Sequence, residues 1–140
     1  MPNSIQTQRT ILNSVQDAYL LTWIDAFLVD RKARGTAKGS LKFYSRNLKL
    51  FTDFCENQAV KTITQIDPNL IRQFLLWLET TNHNPGGIHG AYRSLRAFLF
   101  WWEDEVEPEG WKNPIRKVKA PKVPIEPIDP VELDTVKALI

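Results

Sequence analysis

The sequence predicts an all-α fold, a bundle of four to five helices followed by a proline-rich linker. Three observations carry that prediction. Apolar residues recur at spacings of three and four over several long stretches. No stretch of useful length alternates as a strand would. Pro, Gly, Asn and Asp gather between the periodic stretches, where they punctuate helices. At 140 residues, 43% hydrophobic and 24% charged, the chain is long enough for one domain with a real core. Seven Phe, five Trp and three Tyr supply large side chains to fill it.

The first helix is expected to run from Ser14, a capping residue with Asp17 three positions on, to Gly35. Leu20, Trp23, Ile24, Phe27 and Leu28 make its core stripe. The second is expected from Ala37 to Gln58, with Thr36 as the nearest capping side chain. Its core residues are Leu41, Tyr44, Leu48, Phe51 and Cys55. At about 100° per residue, Lys38, Lys42, Ser45, Arg46 and Lys49 gather on another face as a one-sided basic stripe.

An extended link, AVKTITQI, leads to Asp67 and Pro68, the cap and first-turn pair that opens the third helix. That helix has Leu70, Ile71, Phe74, Trp77 and Leu78 as its core residues, carries the single base Arg72, and reads as scaffold. Asn84 and Pro85 open the fourth helix, expected to reach Glu105. Ile88, Tyr92, Leu95, Leu99 and Trp102 form its core face. His89, Arg93 and Arg96 share an arc of about 60° on another side, together with Phe100 as an exposed aromatic.

Beyond Glu107 the periodicity stops. Residues 111–130 hold five of the nine prolines, with Pro121, Pro124, Pro127 and Pro130 spaced by three, and are expected to form a basic, extended, semi-rigid linker after a helical domain spanning 14–110. Asp129 and Pro130 open a last helical pattern, so residues 131–140 are expected to begin a further domain. Residues 1–13 are expected to be a flexible lead.

The longest apolar runs, such as AFLFWW, are far shorter than the roughly 20 residues of a membrane span, and the polar N-terminus lacks the pattern of a secretory signal. The expected compartment is the cytoplasm. A lone cysteine, Cys55, beside Phe51 and Phe54 reads as a small core residue. With two histidines, no zinc-type Cys/His spacing and no phosphate-binding glycine loop, enzymatic readings find no support. The carboxylates at Glu103, Asp104 and Glu105 sit in a polar run at a helix end, where solvation explains them.

The net charge of +2 hides a contrast. Residues 36–122 carry thirteen bases against nine acids, whereas residues 123–140 carry one base against four acids. From Trp111 to Lys122 there are five bases and no acid. Two basic helix faces and a basic linker suit a phosphate backbone, and a helix bearing His89, Arg93 and Arg96 fits a major groove, where Arg reads guanine bidentately. The competing reading is a helical protein-interaction module in which Phe100, Trp101 and Leu76 form a partner groove and the bases are ordinary solvated charge.

Several motifs occur in one order. The segment RGTAKGSLKFYSRNLKLFTDFC is similar to an Arg-Gly-x-Ser-x-x-Thr-Leu-x-x-Tyr helix start, with Arg34, Gly35, Leu41 and Tyr44 in place, Ala37 where Ser is usual and Ser40 where Thr is usual. GIHGAYRSLRAFLFWW is similar to a Thr-Ile-x-x-x-Leu-x-x-Leu-Arg-x-Phe-Phe helix through Ile88, Leu95, Arg96 and Phe98, with Gly87 and Tyr92 differing. NPIRKVKAPK resembles an Asn-Pro-x-x-x-Ile-x-x-Pro-Lys linker, and PIDPVELDTVKALI the opening of a catalytic domain. From about Val15 onward the chain thus resembles the N-terminal core-binding, SAM-like domain of the tyrosine recombinase or phage integrase family.

The resemblance implies one half of a C-shaped clamp on double-stranded DNA, with the second and fourth helices on the core site and the linker crossing the duplex. It implies that the catalytic Arg, Lys, His and Tyr belong to the other half. This fragment is then expected to bind DNA as a monomer without cleaving it, and the full-length protein to act as a homotetramer with no metal or nucleotide cofactor. Lys38, Ser40 and Lys42 are expected at the DNA backbone, with Arg46 and Lys49 continuing the stripe. His89, Arg93 and Arg96 are expected in the major groove, and Lys117, Lys119 and Lys122 near phosphates.

Overall fold

A computed structural model of the chain describes residues 18–123. Among them four α-helices pack as an all-α bundle: α1 (Leu20–Ala33), α2 (Lys38–Asn57), α3 (Pro68–Thr80) and α4 (Pro85–Val106). Short 3-10 turns occupy Ile63–Gln65 and Pro114–Lys117. Strand pairing among the described residues is limited to one isolated antiparallel bridge between Tyr19 and Thr62.

That bridge corrects the expected start of α1. Leu20 N–H donates to Lys61 C=O at 2.9 Å and Ile63 N–H to Ala18 C=O at 2.6 Å, so the backbone at Ala18 and Tyr19 is committed to the α2–α3 link and α1 begins at Leu20. Ser14 and Asp17 lie outside the described residues, as do residues 124–140 and the helix expected there. At its other end α1 stops at Gly35, which adopts φ 81°, with Gly35 N–H on Lys32 C=O and Thr36 N–H on Arg31 C=O. That turn leaves Ala37, rather than Thr36, in the cap position of α2, and no side chain caps its first turn.

α3 and α4 open as their sequences predict. Asp67 Oδ1 accepts from Leu70 N–H and Asn84 Oδ1 from Gly87 N–H, each at 2.7 Å, with Pro in the first turn of both helices. The link before α3, expected to be extended, tightens into the first 3-10 turn because Gln65 Oε1 accepts from the N–H groups of Lys61 and Thr62.

The core gathers Leu20, Ile24 and Phe27 of α1, Leu48, Phe51 and Cys55 of α2, Leu70, Ile71, Phe74 and Leu78 of α3, and Ile88, Tyr92, Leu95, Leu99 and Trp102 of α4. Trp23, Leu28, Tyr44 and Trp77 pack on it while partly exposed. Aromatic edges lock the helices together: Phe51 meets Phe74 at 5.0 Å between centroids, and Phe27 meets Phe98 at 5.7 Å.

The stretch expected to be an extended linker is, in its first part, a piece of the bundle. Trp111 sets its edge against Trp102 at 4.8 Å, and Ile115 and Val118 are buried. Tyr92 Oη donates to Val118 C=O at 2.8 Å, and the Arg72 guanidinium donates to Lys117 C=O at 3.0 Å. The 3-10 turn makes this possible, since residues three apart on it point the same way. Arg72, expected on plain scaffold, is thus a tether.

Candidate nucleic-acid interface

One side of α2 buries Asn47, Leu48, Phe51 and Cys55, so the helical repeat turns Lys38, Lys42, Arg46 and Lys49 to the other side, where all four are exposed. Ser40 is exposed in the first turn. Lys49 pairs with Asp53, Nζ to Oδ2 at 3.3 Å. Lys38, Lys42 and Arg46 make no ion pair among the described residues. At the open end of the stripe the uncapped first turn of α2 presents backbone N–H groups.

α4 is oriented by its own core face, which leaves Arg93 and Arg96 exposed and His89 half-buried. Phe100, expected as an exposed ring, is half-buried because two guanidinium groups cover it. Arg96 Cζ lies 4.7 Å from the ring centroid and Arg116 Cζ 4.6 Å, and Arg116 also pairs with Glu103.

α2 and α4 form the most extensive helix pairing of the bundle. Gly90 is buried at their junction, where a Cβ would stand 2.9 Å from Phe43 Cζ. Asn47 Nδ2 donates to Gly90 C=O at 3.3 Å and to Ser94 Oγ at 2.9 Å, holding the two helices in register. This close approach brings the first turns of α2 to Arg93, while Lys42 of the basic stripe lines a groove with Leu28, Val29 and Lys32 of α1. Gly39, Ser40, Phe43, Tyr44 and Arg93 line one open cleft of about 430 Å³.

The linker bases sit elsewhere. Lys117 and Lys119 line a groove with Arg72, Leu76 and Pro121 on the α3 side, and Lys122 is exposed beyond it. The structure therefore brings Ser40 and Arg93 together in one cleft and joins Arg96 to Arg116 through Phe100. It does not bring Lys117 or Lys119 into that cleft. Neither Phe43 nor Arg116 stands out in the sequence as a site residue: nothing local ties residue 43 to 93, or 116 to 100. Among the described residues no three His, Cys, Asp or Glu side chains come together as a metal-holding group.

The model of the family "Phage integrase, N-terminal SAM-like domain" matches residues 23–106, more than half of the chain. The chain belongs to that family. The match takes in most of α1 and all of α2, α3 and α4, so the cleft and the arginine arc lie within the integrase domain, whereas Arg116 and the linker lysines follow it. A similar fold occurs in the crystal structure of the N-terminal domain of a phage integrase/site-specific recombinase from Haloarcula marismortui. The two superpose with a TM-score of 0.64 at 17% identity, over 74% of this chain and 97% of that one. No curated protein matches the chain. No helix among the described residues is long and apolar enough to cross a membrane.

Proposed function

We propose that this integrase domain grips double-stranded DNA at the core site of a site-specific tyrosine recombinase, serving DNA integration or recombination. The observation that carries the reading is the cleft where Ser40, in the uncapped first turn of α2, meets Arg93; on another face of the same helix stand Lys38, Lys42 and Arg46, exposed and with no acidic partner among the described residues. Backbone N–H groups, a hydroxyl and free cations are the donor set that a phosphate backbone takes, and Arg93 and Arg96 project from the adjoining face as groove-reading side chains. Lys49, Lys117, Lys119 and Lys122 add longer-range attraction, and His89 lies at the edge of the same face. Strand cleavage is assigned to a separate catalytic domain, and a homotetramer on DNA to the whole recombinase.

Phe100, Trp101 and Leu76 do not come together as the partner groove of a protein-interaction module. Trp101 is buried against Trp23 and Phe27, and Leu76 lines the groove on the α3 side. Fluorescence anisotropy with a labelled duplex at low salt tests the proposal. The 140-residue chain is expected to bind, and Arg93→Ala with Arg96→Ala to bind more weakly. No binding by the parent, or equal binding by both proteins, overturns it.

A further inference from the structure

We infer that Phe43 is a positioning residue for Arg93: its ring holds the guanidinium in the attitude in which it meets DNA, and so governs sequence preference at the base that Arg93 reads. The inference rests on the DNA reading above and goes one residue deeper. Arg93 Cζ lies 5.4 Å from the centroid of the Phe43 ring, and Arg93 makes no ion pair among the described residues. The ring is therefore the contact that restrains it.

The ring is backed from the α4 side. Its far edge occupies the space over Gly90, where an added Cβ would come within 2.9 Å of Cζ and 3.0 Å of Cε2. Its other flank meets Tyr44 at 6.1 Å between centroids. One turn further along α2, Asn47 bonds Gly90 and Ser94 and fixes the distance between the helices. The ring thus cannot sink toward α4, and it lines the cleft beside Ser40.

A guanidinium resting against an aromatic ring and not against an acid keeps its N–H groups free to donate, as bidentate contact with a guanine edge requires. A free arginine must give up rotamer freedom on binding; one already in contact with a ring has less to give up. The phenyl ring offers no hydrogen bond, so it shapes specificity only through Arg93.

Selection of duplexes from a random-sequence library, followed by anisotropy on the enriched duplex, tests this with four proteins: parent, Phe43→Leu, Arg93→Ala and the double variant. Phe43→Leu is expected to lower affinity about two- to fivefold, the range for an exposed cation–π contact. It is expected to flatten base preference at the position that Arg93→Ala also flattens, and to change nothing further in the Arg93→Ala background. An equal loss in both backgrounds, or lost preference at other positions, shows that the ring acts through packing or by its own contact, and overturns the inference while leaving DNA binding intact. Binding by the parent with no duplex enriched means that Arg93 reads no base and overturns the inference alone, whereas no binding by the parent to any duplex at low salt overturns the DNA reading beneath it. Phe43→Met, which keeps apolar bulk without a ring, gives the same comparison if the leucine variant melts early.

Discussion

Gly90 is where the meeting of α2 and α4 turns on the absence of one methyl group. Alanine in mid-helix gains about 0.5–1 kcal/mol over glycine, against an overpacking cost of about 1–3 kcal/mol. The atoms that its Cβ would strike are the far end of the Phe43 side chain, which borders an open cleft and can swing outward. Gly90→Ala is therefore expected to change stability by no more than about 1 kcal/mol in thermal denaturation, yet to loosen base preference as Phe43→Leu does. Cys55 is the opposite case, a residue whose place was legible from its phenylalanine neighbours. It is 1% exposed, and burial raises its thiol pKa from 9.0 to about 12. The folded state thus holds the thiol proton more tightly than the unfolded chain, a contribution complete below pH 9 and lost as pH climbs toward 12. Stability of the parent is expected to fall more steeply than that of Cys55→Ala over that window, by up to about 1.4 kcal/mol per pH unit. Denaturation curves at stepped pH measure the difference; parallel curves would contradict it.

Helix ends follow the same logic at the scale of elements. Asp67 and Asn84 were readable as caps because each is followed by proline, and both accept the bond that a cap should accept. Asp67→Ala or Asn84→Ala is expected to cost about 1 kcal/mol. Thr36→Ala is expected to stay within about 0.5 kcal/mol, because the turn at Gly35 takes Thr36 out of the cap position. Chemical denaturation of the three variants separates these outcomes. The segment after Trp111 was less legible. Its prolines and lysines point to an extended chain in water, and between Lys112 and Lys122 only two large aliphatic residues, Ile115 and Val118, hint otherwise. The Val118 carbonyl is satisfied in the folded-back segment by a hydroxyl far away in sequence, at Tyr92. Ile115→Ala is expected to cost about 2–5 kcal/mol, a core-sized loss that an exposed linker residue would not show.

For the whole molecule, helical periodicity is enough to divide residues 18–123 into four helices and to sort most bases from core, since amphipathic spacing is a property of each helix alone. What periodicity could not supply is how the helices face one another. The joining of Ser40 to Arg93, and of Arg96 to Arg116 through Phe100, depends on the α2–α4 crossing at Gly90 and on the folding back of residues 111–118. The central claim is that this joined surface binds a polyanion, and salt interrogates it most directly. Equilibrium binding of the chain to a short duplex is measured from about 50 to 200 mM salt, alongside a Lys38→Ala, Lys42→Ala variant. The account predicts that log affinity falls linearly with log salt, with a slope shallower by about two in the variant, about one for each phosphate contact removed. Affinity indifferent to salt, or an identical slope in the two proteins, would contradict it.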